Sequence, residues 1–172
     1  NGQLGDGTTT DRNTPAPTSS LGNGRTGMAI SSGDYLTCVL LDNASVSCWG
    51  RNHLGQLGDG TTIDRNTSTQ VLSIGIGRTA IAISSGSAVT CVVLDNASVS
   101  CLGNNGYGQL GDGTNTDRNT PTLTSSLGTG RTVAVSERDI DGDGVLNIFD
   151  SMPYTVLDAD GDGIPDSTDD CP

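Results

Sequence analysis

The amino-acid sequence predicts an all-β repeat chain, and three observations carry that prediction. The six residues Gly55-Gln56-Leu57-Gly58-Asp59-Gly60 also stand at Gly2 to Gly7 and at Gly108 to Gly113, an unbroken period of 53 residues. A fixed period of that length means one structural unit used repeatedly. Between the copies, short apolar runs alternate with glycine, serine and threonine, and aromatic residues make up only 3% of the chain. That is the composition of a turn-rich β protein rather than of a packed helical one. Finally, each full copy sets two cysteine-bearing segments either side of an Asp-Asn-Ala turn, the pattern of a β-hairpin.

Taken in order, residues 1 to 26 begin with the six-letter motif and continue through Thr8-Thr9-Thr10-Asp11-Arg12-Asn13-Thr14-Pro15, side chains that bond their own backbone in loops. Met28-Ala29-Ile30 reads as a short buried strand, with counterparts at Ile81-Ala82-Ile83 and Val133-Ala134-Val135; brevity and flanking glycines favour strand over helix. Tyr35 to Leu41 and Ser45 to Gly50 form the hairpin about Asn43. A fourth strand is expected on His53-Leu54-Gly55-Gln56-Leu57, with Leu57 a packing residue and Asp59 a turn residue. Four short strands in 53 residues make one blade of a β-propeller. The expected architecture is therefore a partial β-propeller of about 2.5 blades over residues 1–136, followed by an irregular tail.

Symmetric pairing about Asn43 sets Leu40 opposite Val46 and Cys38 opposite Cys48; about Asn96 it sets Val93 opposite Val99 and Cys91 opposite Cys101. Opposed cysteines lie within reach of a disulfide, with buried free thiols as the alternative. Disulfides would place the chain in an oxidising, extracellular compartment. Asn43, Asn66 and Asn96 each open an Asn-X-Ser sequon, an N-glycosylation acceptor pattern that also arises by chance in an Asn- and Ser-rich chain.

Charge divides the chain. Residues 1–136 carry nine Asp against seven Arg, whereas 137–172 carry ten Asp and one Glu against one Arg; lysine is absent. With a net charge of −12 and no basic stripe, nucleic acid is not an expected partner. No apolar run approaches 18 residues, so no membrane insertion is expected. The chain opens inside a repeat, which points to a targeting segment upstream.

Beyond Ser136 the period becomes 19 residues: Asp139, Asp141, Asp143, Asn147 and Asp150 recur as Asp158, Asp160, Asp162, Asp166 and Asp169. Within each copy these occupy positions 1, 3, 5, 9 and 12, with glycine at 6 and Val145 or Ile164 at 7. Those are the positions that wrap oxygen ligands, including the backbone carbonyl of position 7, around Ca²⁺. Carboxylates so close repel strongly unless a divalent cation sits among them. Pro165 and the short Ser151–Leu157 spacer leave no room for flanking helices. The alternative is a disordered acidic tail.

Two resemblances follow. Cys38 to Gly50, followed by Asn52 and Gly55-Gln56-Leu57-Gly58-Asp59-Gly60-Thr61, resembles the regulator of chromosome condensation repeat, and the cysteine pair in each hairpin resembles its extracellular prokaryotic branch. This implies a β-propeller, commonly of seven blades; Trp49 becomes Leu102 in the next copy, a departure expected to touch packing only. Residues 137–172 are similar to the thrombospondin type 3 repeat, which implies calcium. In that family cysteines of successive repeats pair; Met152 stands where the first would be, so Cys171 is expected to pair outside the segment.

With no lysine and one histidine, His53, the sequence shows no nucleophile–base constellation, and an enzyme is not expected. The expected function is a structural or adhesive module of a secreted or cell-surface protein: a disulfide-stapled propeller with a calcium-stiffened stalk. Two and a half blades cannot close a ring, which takes at least about four, so other blades, or copies of the chain stacked into a filament, are expected partners alongside surface proteins or glycans. The alternative is a ligand- or protein-binding propeller acting as an inhibitor or regulatory scaffold, and the resemblance also brings nucleotide exchange on a small GTPase into view.

Overall fold

The computed structural model describes residues 1–125. The expected strand Val133–Val135, the acidic tail from 137 and Cys171 lie outside the described residues. Eight strands form two four-stranded antiparallel sheets with consecutive strands adjacent: β1 (Gly27–Ser32), β2 (Leu36–Leu41), β3 (Val46–Gly50) and β4 (Arg65–Gln70) make blade 1. Blade 2 repeats this order with β5 (Ala80–Ser85), β6 (Val89–Leu94), β7 (Val99–Gly103) and β8 (Arg118–Leu123). There is no helix among the described residues.

The central hairpins have the expected register, with Leu40 opposite Val46 and Cys38 opposite Cys48, then Val93 opposite Val99 and Cys91 opposite Cys101. Each hairpin turns on three residues. The Ala44 N–H donates to the Leu41 carbonyl at 2.8 Å, and Ala44 takes a left-handed φ of 59°. A type I turn closed by one left-handed residue matches the twist of the flanking strands.

The fourth strand differs from expectation. It is formed by Arg65-Asn66-Thr67-Ser68-Thr69-Gln70, and its blade 2 counterpart by Arg118–Leu123. His53 to Leu57 instead makes successive tight turns, in which the Gly55 N–H bonds the Asn52 carbonyl at 2.8 Å and the Gly58 N–H bonds the Gly55 carbonyl at 3.0 Å. Left-handed φ angles of 77° at Gly55 and 69° at Gly58 are incompatible with an extended strand. The true β4 is an outer strand whose side chains are mostly half-buried or exposed, so it lacks the apolar alternation that marks a strand in sequence.

The core lies between the blades. Leu36, Cys38, Leu40, Val46 and Cys48 on one face of blade 1 meet Ala80, Val92 and Leu94 of blade 2, and Leu57 and Val71 close the cluster. The opposite face of blade 1 carries Val39, Leu41 and Trp49. Two constraints set the spacing of the blades. A Cβ on Gly33 would lie 1.8 Å from the Gly86 carbonyl oxygen, and one on Gly55 would lie 2.4 Å from Asn119 Cα, so no other residue permits these approaches.

Gly55→Ala should therefore lower stability by about 2–4 kcal/mol, whereas Gly77→Ala, at a comparable φ of 67° with no atom within 4 Å, should lower it by about 1–2 kcal/mol. Urea unfolding of the two variants checks the difference; equal losses would mean that the blades are not in contact at Gly55.

Candidate functional site

The long connection between β3 and β4 is the most elaborate feature of each blade, and it is built around a buried amide. Asn52 is fully buried. Its Oδ1 accepts from the Leu57 N–H at 2.9 Å, and its Nδ2 donates to Asp59 Oδ1 at 3.1 Å and to the Thr61 and Ile63 carbonyls at 3.2 and 3.1 Å. Asp59 in turn accepts from the Thr61 hydroxyl at 2.7 Å and from the Arg65 guanidinium at 2.7 and 2.8 Å. Asn105, Asp112, Thr114 and Arg118 reproduce the arrangement in blade 2. Asp6, Thr8 and Arg12 reproduce its acidic half in the N-terminal segment. Asp59 is thus more than a turn residue: it is the acceptor on which the loop converges.

Each of these carboxyls is held below the usual carboxylate range. For Asp6 the Thr8 hydroxyl is the leading cause, and Arg12 adds to it. Burial works hardest on Asp59 and in the opposite direction, but the Thr61 hydroxyl and Arg65 together outweigh it. At Asp112 the Thr114 hydroxyl leads, burial opposes it, and Arg118 and Asn105 complete the depression. Such charge-assisted bonds favour the ionised form.

The loop then grips the next blade. The Gln56 carbonyl accepts from the Thr90 hydroxyl at 2.9 Å, the Gly60 N–H donates to the Asn119 carbonyl at 2.9 Å, and Asn119 Nδ2 returns a bond to the Gly60 carbonyl at 2.9 Å. The N-terminal segment grips blade 1 in the same way, with Thr37 on the Gln3 carbonyl and Asn66 on the Gly7 carbonyl. Here Trp49 adds a bond, its Nε1–H donating to the Gln3 carbonyl at 2.9 Å. Leu102 keeps the packing against Gly58 but has no donor, so the Trp-to-Leu departure removes a hydrogen bond as well as changing packing. The clasping asparagines were missed in sequence, although Asp-Arg-Asn-Thr recurs at 11–14, 64–67 and 117–120.

The predicted site residues fall into three groups. The cysteines are joined as Cys38–Cys48 and Cys91–Cys101, each with Cα atoms 4.1 Å apart. The metal candidates Asp139, Asp141, Asp143, Val145, Asn147 and Asp150, with Asp158, Asp160, Asp162, Ile164, Asp166 and Asp169, lie outside the described residues. The sequons separate. Asn43 and Asn96 are exposed at hairpin tips, with only Oδ1 engaged, by the Ser45 and Ser98 hydroxyls at 2.7 Å. Asn66 spends its Nδ2 on the Gly7 carbonyl at 2.8 Å, so a sugar there would open the clasp. His53 is exposed and receives the Arg51 Nε–H at Nδ1.

Two profiles, each described as the regulator of chromosome condensation (RCC1) repeat, match residues 29–56 and 98–136. The chain carries RCC1 repeats. It is 35% identical over 98 residues to the human probable E3 ubiquitin-protein ligase HERC4, a match covering 57% of this chain and 9% of that protein. It is 32% identical over 127 residues to the ultraviolet-B receptor UVR8 of Arabidopsis thaliana, covering 74% and 28% respectively. The chain thus spans a small part of the relatives it matches. Among solved structures, human WBSCR16 and yeast RCC1 (Prp20) bound to Kap60 each superpose with a TM-score of 0.51 over 59% of this chain, at 18% and 17% identity, covering 27% and 25% of those chains. The two sheets are blades of a partial RCC1-type β-propeller.

Because the folded carboxyls titrate below the unfolded value of about 3.9, their stabilisation is complete above that value and is lost as pH falls through the folded values. The melting temperature should stay level from neutral pH to about 5 and fall below about 4. Asp112→Asn should lower it at neutral pH and flatten the acid limb; an unchanged acid slope would assign that limb to other carboxylates.

Proposed function

We propose that the chain is a non-enzymatic structural and binding module of a secreted or cell-surface protein, in which disulfide-stapled blades carry a calcium-binding tail. The observation that carries this reading is the disulfide repeated at one position in both blades. Bonds of that kind persist in oxidising compartments. The blade carboxylates Asp6, Asp59 and Asp112 are committed to arginines and hydroxyls of their own turns, which argues against acid–base work by them.

The tail supports calcium by its spacing. Two sets of oxygen ligands 19 residues apart, each with glycine at the sixth position, match a calcium loop, and the extracellular class binds at roughly 10⁻⁴ to 10⁻³ M. The sequon tips support sugar attachment at Asn43 and Asn96. Self-association, or docking of further blades, is favoured by one face of blade 2. Cys91, Val93 and Val99 there are half-buried, whereas the equivalent Cys38, Leu40 and Val46 are buried against blade 2.

A second reading is a regulatory scaffold that binds other proteins, favoured by the yeast RCC1 structure solved with Kap60. Thiol counting separates the two: a native chain with Cys38, Cys48, Cys91 and Cys101 all reduced would overturn the extracellular reading.

Two outcomes are expected of the native protein. Chelation should make residues 137–172 protease-sensitive while 1–125 stay intact, and equal resistance with and without chelator would remove the calcium stalk. Peptide mass mapping of protein secreted by a glycosylating host should find sugar on Asn43 and Asn96 and none on Asn66; sugar on Asn66 would contradict the clasp.

A further inference from the structure

Blade 1 carries a cleft of about 510 Å³ in the angle between the loop before β1, the β2–β3 turn and the outer strands. Its lining is mostly polar, with Asn23 and Arg25 from the loop, Ser47 from β3 and Ser68 and Gln70 from β4, beside Leu21 and the buried Leu41. The side chains of Asn23, Ser47, Ser68 and Gln70 make no hydrogen bond among the described residues, and Ser47 is only 4% exposed. The volume falls within the roughly 300–1,000 Å³ of small-molecule sites, and the mostly polar lining suits a ligand rich in hydroxyls.

The repeat supplies an internal control. Where blade 1 has Asn23, Ser68 and Gln70, blade 2 has Ile76, Pro121 and Leu123, with Ile76 and Leu123 99% and 56% exposed. The N-terminal copy has Pro15 and Pro17 in place of Ser68 and Gln70. Blade architecture therefore does not require polar side chains at these places, and among the described residues only blade 1 assembles them around a cleft.

We propose that this cleft binds a short neutral saccharide. Amides and hydroxyls offer donors and acceptors in the mixture that a polyol needs. Arg25 brings further donors while its charge is offset by Asp42, 3.4 Å away, so the walls carry no unbalanced cation that would select an anionic ligand. The proposal rests on the binding-module reading above and names a ligand class and a site for it.

The test is a titration of the full calcium-loaded chain, made without sugar on Asn43 because that residue lies on the cleft wall, against maltotriose, cellotriose, chitotriose and trigalacturonate, followed by amide chemical shifts. At least one neutral trisaccharide should bind at millimolar concentration and move signals of residues 20–25, 43–47 and 68–70. Asn23→Ile with Gln70→Leu, which installs the side chains that blade 2 already folds with, should weaken binding at least about tenfold at an unchanged melting temperature. Ser68→Ala should weaken it less, and gives a second measure should the double variant fold poorly. No shift with any neutral sugar, tighter binding of trigalacturonate, or unaltered binding by the folded variants would overturn the proposal. Since the readout is confined to the cleft, its failure leaves the thiol and chelation results untouched, and theirs leaves it untouched.

Discussion

A buried primary amide is the constraint on which the rest of this structure depends. Asn52 fills its acceptor from the Leu57 N–H and its donors with Asp59 and two loop carbonyls. Losing these bonds would strand several buried polar groups at about 1–3 kcal/mol each. With the amide in place, a connection of polar and glycine residues holds one shape without a core of its own. That shape then presents Leu57 to the interblade cluster and Gly60 to Asn119. The polar network is thus the means by which a loop becomes part of the hydrophobic core.

The disulfides act at the same junction. Cys38 and Cys48 are fully buried members of the interblade cluster, and Cys38 Sγ lies 3.7 Å from the Thr90 hydroxyl of blade 2. The bridge therefore does two things: it closes a short loop, a gain of about 2–3 kcal/mol, and it supplies apolar surface where the next sheet docks. In a chain with 25 glycines and one tryptophan, large side chains are scarce, and a cross-strand cystine is a compact replacement for one.

What could be read from the sequence follows from which interactions are local. The hairpins, their register and the opposed cysteines were legible because strand alternation and a three-residue turn fix them within 15 residues. β4 was not, because an outer strand of Asn, Thr, Ser and Gln looks like loop when its bonds to β3 are unseen. The same blindness turned His53 to Leu57 into a strand: one leucine among glycines supplied apolar character, while the left-handed turns that deliver it to the core are invisible in composition. Asn66 shows the limit for sites. Its sequon is intact, yet its amide is consumed by a residue 59 positions away.

Repetition also changes how a surface can be interpreted. Positions that keep one residue type in every copy, such as the Asp–Arg pair of the turn, are held by the blade itself, since each copy uses them in the same bonds. Positions that differ between copies while the backbone stays the same are released from that duty. Ser68 and Gln70 against Pro121 and Leu123 are such positions, as are Asn23 against Ile76. Their chemistry answers to solvent or to a ligand, not to folding. Two blades of equal framework thus present unlike surfaces, one polar and concave, the other apolar and exposed, and selection for binding can act on one without disturbing the other.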